Sequence, residues 1–360
     1  MARRNPILGG AIMLLALIPI LAVTVFRVGR QDEPKGSTSS QARPRVVLYC
    51  ATDRETAQEL LDRFEKETGI RVEAKYDTEA AKAVGLVQAI RQEKGNPRCD
   101  VLWGGGAFFH AMLAEEGCLA PAPDDLIKAH GNAPRDEKGR WLGFAAAYRV
   151  LILNTEMFGK EPRPHSFRNL ADPRYKGHVG IANPLFGGMA AHVAALFNVL
   201  GSEQARRWLA DLKANDVALC GGMADVTKRV ASGELWFGIT SSIDAHVAVD
   251  GGKPVAIVFP DQEPGEIGCM EGFSTVALIA NGPNPKEAEK LLRFLMSKST
   301  EEVLAAGHGQ TVGMLPESVA GDVRPRWIPK GVRSMNVDWT AAAKAYAEST
   351  KAVKEVLLDR

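Results

Sequence analysis

The chain has 360 residues, 46% apolar and 24% charged, with a formal net charge of +1. That is an ordinary globular mix, long enough for two domains after a short leader. The balanced charge excludes an electrostatic footprint for nucleic acid, and the sparse aromatics (7%), never interleaved with basic runs, exclude a single-strand binding groove.

Residues 7–26 form an apolar stretch of about the length that spans a bilayer as a helix. Arg3 and Arg4 precede it and Arg27 and Arg30 follow it, so the arginines balance and do not set an orientation. No cysteine ends the run, which excludes lipid attachment there, and no small-x-small cleavage site follows it directly. Residues 1–30 are therefore expected to be an uncleaved transmembrane signal-anchor, with a removed signal peptide as the alternative. Residues 31–44 are polar, with Pro, Gly and Ser and no apolar period, and read as a flexible tether.

From residue 46 the chain alternates. The run VVLYC at 46–50 suits a buried parallel strand. Ala57, Leu60, Leu61 and Phe64 then share one helical face, and Gly69 closes that helix. A strand at 70–74, a helix at 79–92 stopped by Gly95-Asn96-Pro97, a strand DVLW at 100–103 and a helix through Phe108, Met112 and Leu113 follow. The class is α/β with a parallel sheet. A second series starts with a long extended run at 143–154. Strands are expected at 179–182, 217–219, 235–240 and 255–259, and helices at 188–200, 203–212 and through Val226 and Val230. A second long extended run at 273–279 precedes helices at 285–296 and 301–306 and a last helix at 340–357. The five cysteines, Cys50, Cys99, Cys118, Cys220 and Cys269, are scattered and odd in number without a CxxC pair, which excludes a structural zinc site and suits small core hydrophobes.

Several segments, in order, carry a resemblance. They are YCATDRETAQELLDRFEKETGI, YDTEAAKAVGL, CDVLWGGG, GFAAAYRVLILNT, DPRYKG, IANPLFGGMAAH, ASGELWFGITSSIDA and VALIANGPNPKEAEKLLRFLMS. Through them the chain resembles the periplasmic substrate-binding proteins of ABC importers, in the ferric-iron-binding branch of extracellular solute-binding family 1. The resemblance implies a type II periplasmic-binding-protein fold of two lobes joined by two hinge strands, here at 145–153 and 274–279. Lobe one is expected at 45–145 with 275–325 and lobe two at 146–274. Residues 326–360 are expected as a C-terminal helical segment packing on lobe one. It also implies a ligand trapped in the cleft and a permease as partner. Independently, open α/β sheets bind ligands beyond the carboxyl ends of their strands, where helix N-termini point.

Four segments are expected to line that cleft. The first is Thr52-Asp53, where Asp53 offers an oxygen ligand or a helix N-cap. The second is Gly104-Gly105-Gly106, a phosphate-like backbone turn or a plain entry into a helix. The third is Phe186-Gly187-Gly188-Met189, where relatives present backbone N–H groups to an anion. The fourth is Ser241-Ser242 with Asp244. In relatives that bind ferric iron a histidine can stand at Asp53, a glutamate near Gly105 holds metal, and two adjacent tyrosines lie in the region of Ser241 to Ile243. The loss of ligands at Gly105, Ser241 and Ile243 argues against ferric iron, a hard cation that wants several anionic oxygens, although Asp53 and Asp244 remain as metal-capable groups. Trp103 and Phe186 suit either stacking or core packing, Gly221-Gly222 a turn, and His192 a packed position.

The resulting expectation is an extracytoplasmic, non-enzymatic protein without cofactor. It captures a small polar or anionic solute for an ABC-type importer and is held to the membrane by its N-terminal helix. A degenerate membrane-anchored sensor of the same fold is the first alternative. A hydrolase or transferase is the other, and it lacks a visible nucleophile–base pair or metal cluster.

Overall fold

The computed structural model describes residues 43–77, 83–131, 133–158, 162–306, 311–315 and 323–358. The apolar run at 7–26 and the tether lie outside these. Among the described residues no helix is long and apolar enough to cross a membrane.

The first half alternates strand and helix. β1 (Arg45–Cys50) leads to α1 (Arg54–Thr68), which ends on Gly69 in the left-handed conformation that the absent Cβ permits. β2 (Arg71–Tyr76), α2 (Val84–Gln92), β3 (Val101–Trp103) and α3 (Ala107–Glu115) follow. A short β4 (Leu119–Ala120) and α4 (Asp124–His130) precede β5 (Leu142–Asn154). β1 pairs in parallel with β2 and β3, as βαβ crossovers require.

The second half contains α5 (Thr155–Phe158), β6 (Val179–Ala182), α6 (Gly187–Leu200), α7 (Ser202–Ala214), β7 (Ala218–Cys220) and α8 (Met223–Ala231). β8 (Phe237–Ser241), α9 (Ser242–Asp250) and β9 (Val255–Val258) complete it. β10 (Glu271–Ile279), α10 (Pro285–Leu295) and α11 (Lys298–Ala306) return to the first half. The strands run in the order β2-β1-β3-β10-β5-β8-β6-β7, with β4 beside β10 and β9 beside β5.

β5 joins the halves. Residues Leu142 to Tyr148 pair with β10, whereas Arg149 to Leu153 pair with β8 and Leu151 to Asn154 with β9. The register slips once, opposite Phe273/Ser274, where Ala145 takes a φ of +50°. That bulge is pinned by Glu301, whose fully buried carboxylate accepts the N–H groups of Ala145 (3.3 Å), Met314 (2.6 Å) and Leu315 (3.2 Å). Ser274 to Ile279, expected as the second hinge strand, pairs with β3, β4 and the first part of β5 only. The return crossing lies before it, where Arg149 N–H donates to Met270 O at 2.9 Å.

One core packs α1 and α10 on one face of the first sheet through Leu48, Leu60, Phe64, Trp103 and Leu291, with Phe64 edge-on to Phe294 at 5.4 Å. A larger one covers the opposite face and continues into the second half. All five cysteines are buried and free. The C-terminal segment was expected as one helix against lobe one. It divides instead at Ala345 into α12 (Trp339–Lys344) and α13 (Tyr346–Ala352) and touches both halves. Tyr346 packs edge-on against Phe108 of α3 at 4.8 Å, Asp338 N–H donates to Asn198 of α6 at 3.0 Å, and Arg206 of α7 faces Glu348 at 3.8 Å.

Candidate functional site

A cavity of about 500 Å³ opens between the two halves. Its second-half wall is made by the starts of three helices, each reached from a strand end through a short turn or none.

At the first, β6 ends at Ala182, and the Asn183 side chain holds the turn by accepting Leu185 N–H at 3.0 Å. Phe186 then occupies the N-cap of α6 and supplies no side-chain hydrogen bond, while Gly187 takes a φ of +54°. At the second, Gly222 caps α8, again without a side chain to satisfy the first turn. Asp225 accepts the N–H of the preceding Gly221 at 2.9 Å. Uncapped first turns leave backbone donors and the positive end of the helix dipole turned outward, an arrangement that favours anions. The third helix differs. Ser241 caps α9 with its own hydroxyl, which accepts Ile243 N–H at 3.2 Å.

Between these ends stands Arg149. Its backbone sits opposite Ser241 in the β5–β8 ladder, and its side chain lines the cavity. The guanidinium lies in a slot that two glycines keep open. A Cβ on Gly272 would come within 3.2 Å of it, and one on Gly188 would land on it. Its Nε is buried without a hydrogen-bond partner. Burial pulls the guanidinium below its ordinary pKa, and the Asp244 carboxylate works the other way. An arginine remains charged under such a shift, so the wall carries a fixed positive charge with donor capacity to spare. Behind it, one turn into α6, His192 is 2% exposed with neither ring nitrogen partnered. Burial first, and Arg149 second, push its pKa down to about 3, so it is neutral.

Of the residues read from the sequence as lining the cleft, Phe186, Gly187, Gly188, Met189, Ser241 and Asp244 line this wall, and Asp53 faces them from the first half. Asp53 stands at the N-cap of α1 without a side-chain cap bond, so the capping role does not hold. The others are used by the fold. Gly104, Gly105 and Gly106 all have positive φ (89°, 84° and 80°), and a Cβ on Gly104 would meet Thr52 Oγ1 at 2.8 Å. Neither Thr52 nor the glycine triplet is among the residues lining the cavity. Ser242 is buried and its hydroxyl accepts Tyr148 N–H at 3.0 Å, fixing β5 beside Arg149.

Arg149, Asn183 and Asp225 belong to the cavity and stand in no sequence motif that marks a cleft. Arg149 carried a signal: a lone charge inside the apolar run GFAAAYRVLILN must find compensation when that strand is buried. Among the described residues no three His, Cys, Asp or Glu side chains come together as metal ligands. None of the five tyrosines lines the cavity, and Tyr49 donates to Glu93 at 2.9 Å elsewhere.

Residues 96–344 match the model of a family described as bacterial extracellular solute-binding protein. The chain belongs to that family. A solved relative, the apo ferric ion-binding protein A of Pasteurella haemolytica, superposes with a TM-score of 0.75 at 25% identity over 88% of this chain and 98% of that one. In sequence the chain is 26% identical to the major ferric iron-binding protein of Neisseria meningitidis serogroup B, over 72% of this chain and 78% of the relative. It is 27% identical to a putative 2-aminoethylphosphonate-binding periplasmic protein of Salmonella typhimurium, over 74% and 77%. Relatives at this level of identity are thus named both for ferric iron and for a phosphonate. The choice between them rests on the cavity wall.

Proposed function

We propose that this protein captures a small anion, phosphonate, phosphate or carboxylate in kind, between two lobes outside the cytoplasmic membrane and delivers it to an ABC-type importer. The observation that carries the reading is the half-buried Arg149 guanidinium, whose buried Nε has no partner, between two helix starts that lack side-chain caps. Asp244 offsets part of the cost of this charge, and an anion at this point would add to that by accepting from Arg149 and from the first turns of α6 and α8 together. Asp53 would face the rest of the ligand as the lobes close.

The reading takes 45–145 with 275–325 as one lobe and 146–274 as the other, with the apolar run at 7–26 as an anchor or leader. The ferric reading has the relatives' names in its favour. The donor set opposes it: the carboxylates at the cavity are Asp53, Asp225 and Asp244, Asp225 already serves Gly221, and a fixed guanidinium repels a trivalent cation. Thermal unfolding of residues 43–360 against a panel of solutes tests the proposal. Phosphonates, phosphate or carboxylates are expected to raise the melting temperature. Stabilisation by ferric citrate or neutral sugars, with none by simple anions, would overturn it.

A further inference from the structure

The α6 N-cap is a position where Ser, Thr, Asp or Asn is the usual choice, because their side chains satisfy the first turn. This chain has Phe186 there, 53% exposed at the cavity rim and without any cap bond. A single exposed apolar side chain needs no explanation. Here, however, the ring does not stand alone. Met189, Met223 and Ile243 line the same cavity, and a Cβ on Gly188 would touch the Met223 methyl at 3.2 Å as well as Arg149. Thioether and ring surfaces therefore begin where the anion-attracting groups end. Among the described residues, Phe186 is the one aromatic found with the exposed large hydrophobic side chains; the others, Met157, Leu219, Val247 and Val249, do not line the cavity.

Resting on the anion reading above, we infer that Phe186 is the specificity residue of the cleft: its ring covers the carbon part of an organic anion with a flat apolar body. The residue acts twice. Lacking a polar side chain, it leaves the first-turn donors of α6 for the anionic head. Its ring, exposed at the rim, gains a partner face when the ligand body enters between it and the half-buried Met223, while Met189 backs the wall from the core. A bare oxyanion would meet the head group site and leave this surface wet. The cavity volume of about 500 Å³ accommodates such a body beside the head group.

The test compares phenylphosphonate with methylphosphonate by titration calorimetry on the wild-type protein and on Phe186→Ala, Phe186→Leu and Val247→Ala. Both probes carry the same head group, so their affinity ratio reports the body alone. The wild type is expected to prefer phenylphosphonate by about tenfold. Phe186→Ala brings the ratio to about one, Phe186→Leu leaves an intermediate ratio, and Val247→Ala, whose exposed side chain lies off the cavity, keeps the wild-type ratio. An unaltered ratio in Phe186→Ala, or a wild type that prefers methylphosphonate, overturns the inference and leaves the anion reading standing. Failure of both phosphonates and inorganic phosphate to bind the wild type overturns both. Melting temperatures of the variants confirm that each is folded.

Discussion

Two glycine-rich turns lead from a strand into a helix in this molecule, and each is followed four residues on by a buried histidine. After β3 the turn is Gly104 to Gly106, with His110 one turn into α3. After β6 it is Gly187-Gly188, with His192 one turn into α6. In the first, every glycine serves the fold. The backbone takes three successive positive φ values, Gly104 N–H donates to Thr275 O at 2.7 Å, and His110 Nδ1 ties the turn by meeting Gly106 O at 3.1 Å and Thr275 Oγ1 at 2.9 Å. In the second, the groups stay open. The helix start is uncapped, as α3 is after Gly106, but here Gly188 makes room for a guanidinium and both nitrogens of His192 are unpartnered. Glycine at a helix start is thus ambiguous until the neighbours are known. Both helices start without a side-chain cap and His110 Nε2 is itself unpartnered, so what sets the second turn apart is that it lines the cavity beside the Arg149 guanidinium.

The largest expected effect breaks the first turn. Gly104→Val forces a β-branched side chain into a φ of +89° and against Thr52 N at 2.9 Å, so a loss of about 3 to 5 kcal/mol in urea unfolding is expected. A loss below about 1 kcal/mol would mean the turn is not built as described.

The next effect is in pH. Burial holds His110 and His130 at about 4 and His192 at about 3, against 6.5 for an exposed imidazole. Below 6.5 the unfolded chain therefore binds more protons than the folded one, so this stability is complete above pH 6.5 and is lost as pH falls toward 4. At pH 5 each histidine costs about 2 kcal/mol relative to pH 7. Glu301, raised by burial, acts in the opposite sense at lower pH. Urea midpoints at pH 7 and pH 5 measure the sum, and His192→Leu is expected to remove about one third of it. An unchanged pH dependence in that variant would place His192 in contact with water.

The second turn responds in affinity. A Cβ at Gly188 displaces Arg149, so Gly188→Ala is expected to weaken methylphosphonate binding about tenfold, about 1.4 kcal/mol. Because the Cβ also crowds Met223, part of the strain is expected in the unliganded melting temperature too. Gly187→Ala meets open space but carries a φ of +54°, and a stability loss of about 1 kcal/mol is expected. Titration calorimetry and urea unfolding on the two variants separate these effects; equal affinities at position 188 would place the ligand elsewhere. The smallest expectation is a null signal. Ferric citrate should give no visible tyrosinate band, since no tyrosine lines the cavity. A band lost in Tyr148→Phe would relocate the site.

Much of the scaffold was legible because strand and helix periods are local. The strand at 179–182 appears with those bounds, and Gly69 and Gly201 end their helices where the pattern placed them. α9 was passed over because its apolar residues do not share one face: Ala245 and Ala248 are buried while Val247 and Val249 are exposed. In the site, the Phe186-Gly187-Gly188-Met189 turn, Ser241 and Asp244 were visible as strand-to-helix junctions. Thr52 and the Gly104 triplet are junctions of the same kind but do not line the cavity, because they pack on each other at the ends of the paired β1 and β3, which lie about fifty residues apart in sequence. Arg149 was hidden in an apolar run, where its meaning depends on which helices arrive from elsewhere in the chain.

The most direct test of the anion cradle is methylphosphonate titration of Arg149→Met, a substitution that keeps length and packing while removing the charge. The account predicts at least about a hundredfold loss of affinity with an unliganded melting temperature within a few degrees of wild type, since the attraction of Asp244 is offset by the cost of holding the charge half-buried. Wild-type affinity in Arg149→Met would contradict it.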